Sequence, residues 1–99
     1  MAKRKIIWSA RASKKLYEIL EFYIHRNQSK AYSNKLYKQI SLNIKLLVTQ
    51  PYLGLKTDTL PFRGLIIDEF IIFYEVTDDF IIIHTVWDCR QNPESLKLK

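Results

Sequence analysis

The stretch that decides the fold is Phe70-Ile71-Ile72-Phe73-Tyr74-Glu75-Val76-Thr77-Asp78-Asp79-Phe80-Ile81-Ile82-Ile83-His84-Thr85-Val86-Trp87. Two runs rich in Ile, Phe, Tyr and Val flank Thr77-Asp78-Asp79, a tight-turn sequence, so the segment predicts strands over 70–76 and 80–87 joined as a hairpin. Phe70 to Tyr74 is apolar at both parities, the pattern of a central strand covered on both faces. Upstream, Arg63 to Ile67 has the same strand character, and the gap between Ile67 and Phe70 is short. The three strands therefore read as an antiparallel meander.

Working outward toward the N-terminus, the period changes. Ala12, Leu16, Ile19, Leu20, Tyr23 and Ile24 recur at spacings of three and four, which places them along one face of a helix ending near Asn27. Ser29 offers a cap for a second helix, in which Tyr32, Leu36, Ile40, Ile44, Leu47 and Val48 repeat the spacing up to Gln50-Pro51. Proline lacks an amide proton and clashes with the preceding turn, so the helix stops there. The connection is only a few residues long, which makes the two helices an antiparallel hairpin. Before them, Lys5-Ile6-Ile7-Trp8 reads as a short strand and Ser9 as the first helix's cap. Pro51-Tyr52-Leu53-Gly54 is a turn signal, and the chain from there to Pro61 reads as loop. The expected architecture is α+β: a short N-terminal strand, an antiparallel helical hairpin, then an antiparallel β-meander. Residues 1–99 form one domain, whose tail, Gln91 to Lys99, reads as a short helix, an extra edge segment or, over 94–99, a disordered end.

Composition narrows the class. A chain of 99 residues that is 47% hydrophobic can form one core without staples. Cys89 is the sole cysteine, which excludes an internal disulfide and a cysteine metal cluster and favours a reducing compartment. The charged start, Met1 to Lys5, is followed by too short an apolar run for a signal peptide, and Asp68 and Glu69 interrupt the most apolar stretch. A soluble, cytoplasmic protein is expected. Charge is one-sided. Residues 1–50 hold eleven Lys/Arg against Glu18 and Glu21, a balance of +9, whereas residues 51–99 hold five against eight acids, a balance of −3. Such a field favours an acidic partner, either nucleic acid or an acidic protein segment.

Candidate chemistry is sparse. His25 and His84 fall on different elements with no zinc spacing, and Gly54 and Gly64 lie in no phosphate-cradling loop, so neither a metal nor a cofactor is expected. His84 reads as a satisfied sheet residue or, alternatively, a functional one; Cys89 reads as a small buried hydrophobe or a reactive thiol. Arg63 opens the first meander strand and Arg90 closes the last, so the two belong at opposite ends of the sheet. Their planar forks suit a phosphate or carboxylate, and pairing with Asp68 or Asp88 is the structural alternative.

Trp8-Ser9-x-x-Ala12, the hairpin ending in Pro51-x-x-Gly54, Phe62-Arg63-x-Leu65, Phe73-Tyr74-Glu75-Val76 and Val86-x-Asp88-x-Arg90-Gln91-Asn92-Pro93 together resemble the RelE/ParE superfamily of bacterial toxins, the plasmid stabilisation protein family. The resemblance implies the toxin of a type II toxin–antitoxin module, neutralised by a small antitoxin with an acidic or amphipathic C-terminal segment. Its RelE-like branch implies a ribosome-dependent mRNA endoribonuclease, with Arg63 stabilising the phosphate, Arg90 as a second cation and Lys56 as a basic loop residue. No tyrosine or histidine follows Arg90 to act as the usual acid or base. The ParE-like branch implies a non-enzymatic inhibitor of DNA gyrase and is favoured by the long hairpin and the Pro-x-x-Gly turn. A member that only binds antitoxin and has lost toxicity is the third alternative.

Overall fold

The computed structural model describes residues 3–59 and 61–89. The elements run β1 (Lys5–Trp8), α1 (Ala10–Asn27), α2 (Ala31–Thr49), β2 (Leu55–Lys56), β3 (Arg63–Ile67), β4 (Phe70–Val76) and β5 (Phe80–Asp88). They form a five-stranded sheet of order β1-β5-β4-β3-β2. The meander is antiparallel throughout, whereas β1 pairs with β5 in parallel, so the sheet is mixed. One correction concerns the expected loop after Gly54: Leu55 and Lys56 pair with Gly64 and Arg63 as the edge strand β2.

Both helices pack on one face of the sheet in a single core. Ala12, Leu16, Ile19 and Tyr23 of α1 and Leu36, Ile40, Ile44 and Leu47 of α2 meet alternate strand residues, among them Leu65, Ile67, Phe70, Ile72, Tyr74, Ile81 and Ile83. Phe70 is fully buried, and its ring meets Tyr23 edge-on at 6.4 Å; Tyr23 in turn lies 4.8 Å from Tyr32. This aromatic chain ties the turn end of both helices to β4. The two-sided apolarity of β4 is also realised, because Phe73 is 6% exposed on the face away from the helices.

The junctions follow from local chemistry. Ser9 Oγ accepts the Ala12 amide at 3.0 Å and so caps α1, and the same hydroxyl donates to the His84 carbonyl at 2.9 Å. His84 is the extra residue of a β-bulge: Phe73 pairs with Thr85 and Tyr74 with Ile83. At its other end α1 closes on Gln28, left-handed at φ 53°, whose amide reaches Ile24 O. The cap position of α2 is Lys30 rather than Ser29, though Ser29 Oγ accepts the Ala31 amide at 3.1 Å. Ser33 Oγ donates to Leu20 O at 2.7 Å and holds the two helices together near their connection. Among the described residues, no helix is long and apolar enough to cross a membrane.

Candidate functional site

The turn after α2 is built around a buried tyrosine. Tyr74 has no exposed surface; its hydroxyl accepts the Gly54 amide at 2.8 Å and donates to Pro51 O at 2.9 Å. Gly54 presses against it so closely that a Cβ would lie 2.7 Å from Tyr74 Cε1 and Oη and 2.9 Å from Gly64 O. No glycine among the described residues has positive φ, so Gly54 is required for space rather than for backbone freedom. Arg63 completes the brace: its Nη1 donates to Gly54 O at 2.9 Å, and its guanidinium sits 4.9 Å from the centre of the Tyr52 ring. Lys56 is Arg63's partner in the β2–β3 ladder, so two of the three candidate cations meet at this corner. The third, Arg90, lies outside the described residues, as does the 91–99 tail. β5 runs parallel to β3 across β4, and its last residue, Asp88, is level with Phe70 rather than with Arg63.

Burial raises the Tyr74 pKa above its usual value of 10, while the Gly54 amide and the Arg63 charge act the other way. The folded state therefore keeps the phenolic proton at a pH where the unfolded chain has lost it. Stability from this group is complete below about pH 10 and is lost as pH climbs through the raised value. Tyr74→Phe is expected to destabilise the protein by about 2 kcal/mol at neutral pH, because it strands the buried Gly54 amide and the Pro51 carbonyl. It should also flatten the alkaline loss, leaving the parts due to Tyr32, which burial and then Asp68, Glu69 and Asp88 raise likewise, and to Cys89, which partial desolvation and then Asp88 and Glu69 raise. Denaturant unfolding at pH 7 and across pH 9 to 11 tests both; an unchanged midpoint at pH 7 refutes the brace.

On the helix-free face, His84 Nε2 lies 2.9 Å from Glu75 Oε1, and the imidazole meets Phe62 edge-on at 4.6 Å. His84 is thus a satisfied sheet residue with a carboxylate partner. Cys89 is exposed rather than buried, because β5 has ended. Partial desolvation of the sulfur, followed by the charges of Asp88 and Glu69, raises its pKa and disfavours the thiolate. Among the described residues, no cluster of three or more His, Cys, Asp or Glu could hold a metal ion.

A groove of roughly 560 Å³ lies between the helices, with β1 as its floor. Ile6, Trp8, Leu16, Leu20 and Ile44 make it apolar; Tyr17 and Tyr37 stand on its rim, and Ser13, Ser41 and Lys45 supply polar groups. The two tyrosines, 64% and 53% exposed, fall outside the core stripes. A large aromatic on the polar side of an amphipathic helix is the signal that could have found them. Beside the groove, β1 is an edge strand, its outer rim unpaired among the described residues. The arrangement offers an apolar trough, an open strand edge and a positive field, which suits a segment of another chain better than a small substrate.

A family model described as the ParE toxin of type II toxin-antitoxin system, parDE, matches residues 6–93. Among solved structures, the chain is similar to one from the chromosomal ParDE TA system of P. aeruginosa, with 19% identity, a TM-score of 0.75, and coverage of 87% of this chain and 96% of that one. It is also similar to a chain of the E. coli DinJ-YafQ toxin-antitoxin complex, with 14% identity, a TM-score of 0.56, and coverage of 88% and 93%. At these identities the likeness is one of fold. No curated protein sequence matches the chain.

Proposed function

Because the chain belongs to the ParE toxin family of type II toxin–antitoxin systems, we propose that it arrests bacterial growth from the cytoplasm by binding DNA gyrase, and that a cognate antitoxin neutralises it. The observation that carries the inhibitory rather than the nuclease reading is the state of Arg63. Its guanidinium is turned onto Gly54 O and the Tyr52 ring, where it braces a turn. Inhibition by binding needs no cleft prepared for a scissile phosphate. For the antitoxin, the groove over β1 accepts an amphipathic helix or strand, and the +9 balance of residues 1–50 complements an acidic one.

Expression of the chain alone should stop growth, and co-expression of a short acidic protein encoded beside it should restore growth. Purified protein should inhibit gyrase supercoiling and leave message on translating ribosomes intact. Cleavage on ribosomes with supercoiling unaffected would overturn the gyrase assignment. The nuclease alternative, with Arg63 and Arg90 as catalytic cations and Lys56 assisting, would then stand; Arg63→Ala should abolish that cleavage.

A further inference from the structure

We propose that the end of α2 and the braced turn after it form the surface that grips the toxin's protein target, separate from the groove between the helices. The inference rests on the gyrase reading only for the identity of that target. Leu42, Leu46, Tyr52, Leu53 and Leu55 are 64%, 45%, 61%, 43% and 67% exposed. They make up five of the eleven large apolar side chains exposed among the described residues, gathered within fourteen positions of sequence. Single exposed leucines need no explanation, whereas five large apolar side chains exposed along one helix end, the turn after it and the strand that follows call for a partner.

The turn is held far more firmly than its exposure requires. The Tyr74 hydroxyl fastens both ends of Pro51–Gly54, the Leu53 amide donates to Gln50 O at 3.1 Å, and Arg63 fixes Gly54 from the other side while lying against the Tyr52 ring. Apolar anchors presented in a fixed position lose little conformational freedom on docking, which is how a few residues come to dominate an interface.

Charge points to the partner's chemistry. No Asp or Glu occurs between Glu21 and Asp58, and Lys56 and its ladder partner Arg63 flank the patch in sequence and pairing. The complement is a folded protein bearing a shallow apolar depression with an acidic rim. A phosphate backbone would satisfy the cations but leave the leucines in water. The two surfaces use different sides of α2: Tyr37, Ser41 and Ile44 face the groove, while helical spacing turns Leu42 and Leu46 away from it.

The test compares the unaltered chain with Leu46→Glu/Leu53→Glu for growth arrest in cells, supercoiling by purified gyrase, and thermal melting. The double variant should melt within a few degrees of the parent, lose growth arrest, and need at least tenfold more protein to inhibit supercoiling. Undiminished arrest by the folded variant would overturn the surface and leave the gyrase reading standing. If the parent arrests growth without touching gyrase and the variant does not arrest growth, the surface holds and the gyrase identity falls. If folded parent protein fails to arrest growth at all, both are overturned. Should the double variant not fold, Leu42→Glu, at the more exposed position, decides by the same readouts.

Discussion

Gly54→Ala is expected to lower stability by about 3 kcal/mol, a cost set by overpacking against atoms that cannot retreat. The new methyl carbon would lie 2.7 Å from the ring and hydroxyl of Tyr74 and 2.9 Å from Gly64 O. Tyr74 is enclosed by the core and cannot swing aside, and Gly64 O belongs to the β3 backbone. Relief must come from displacing the turn, which breaks the Gly54 amide bond to the Tyr74 hydroxyl and the Arg63 bond to Gly54 O. The cost should therefore shrink in a Tyr74→Phe background, where one clashing atom is gone, so the double-mutant cycle is non-additive. Denaturant unfolding of the four proteins measures this. Additive costs would show that the glycine and the tyrosine do not press on each other.

The larger loss belongs to Phe70→Ala, at about 3–5 kcal/mol. Phe70 has no exposed surface, opens the central strand, and is the β4 end of the aromatic chain through Tyr23 to Tyr32. Its removal leaves a void that neither helix can fill, because Ser33 Oγ to Leu20 O already fixes their spacing at that end. In a domain of this size the melting temperature should fall by roughly 15 °C or more. Phe70→Leu should lose less than half as much. A fall of only a few degrees for the alanine variant would mean that the ring is not enclosed as described.

Much of this architecture is legible in the sequence. The spacing of Leu36, Ile40, Ile44 and Leu47 suffices for α2, and the run from Phe70 to Trp87 suffices for the central hairpin, because each pattern is local. What escapes local reading depends on distant partners. β1 is recognisable as a strand, but its parallel partner begins at Phe80, and nothing within Lys5–Trp8 reveals it. β2 consists of two exposed residues and exists only because β3 lies beside it. The bulge at His84 contains no glycine to mark it. Arg63 is conspicuous as a cation in the acidic half, yet its nearest acceptor is a carbonyl nine residues away. The Pro-x-x-Gly turn is plain in sequence, while the tyrosine that demands its glycine lies twenty residues on. Candidate chemistry suffers most, because a charged side chain advertises its charge and not what already occupies it.

The Ser9 hydroxyl, which starts α1 and also holds the bulged strand, spans 75 residues of sequence in its bond to His84. During synthesis from the N-terminus, β1 and the helical hairpin emerge long before their sheet partner exists. Until β5 is free of the ribosome, β1 has nothing to pair with and Ile81, Ile83 and Val86 are missing from the core. The nascent polypeptide thus carries most of its mass without a closed sheet. Translation itself withholds the finished fold until β5 has been made.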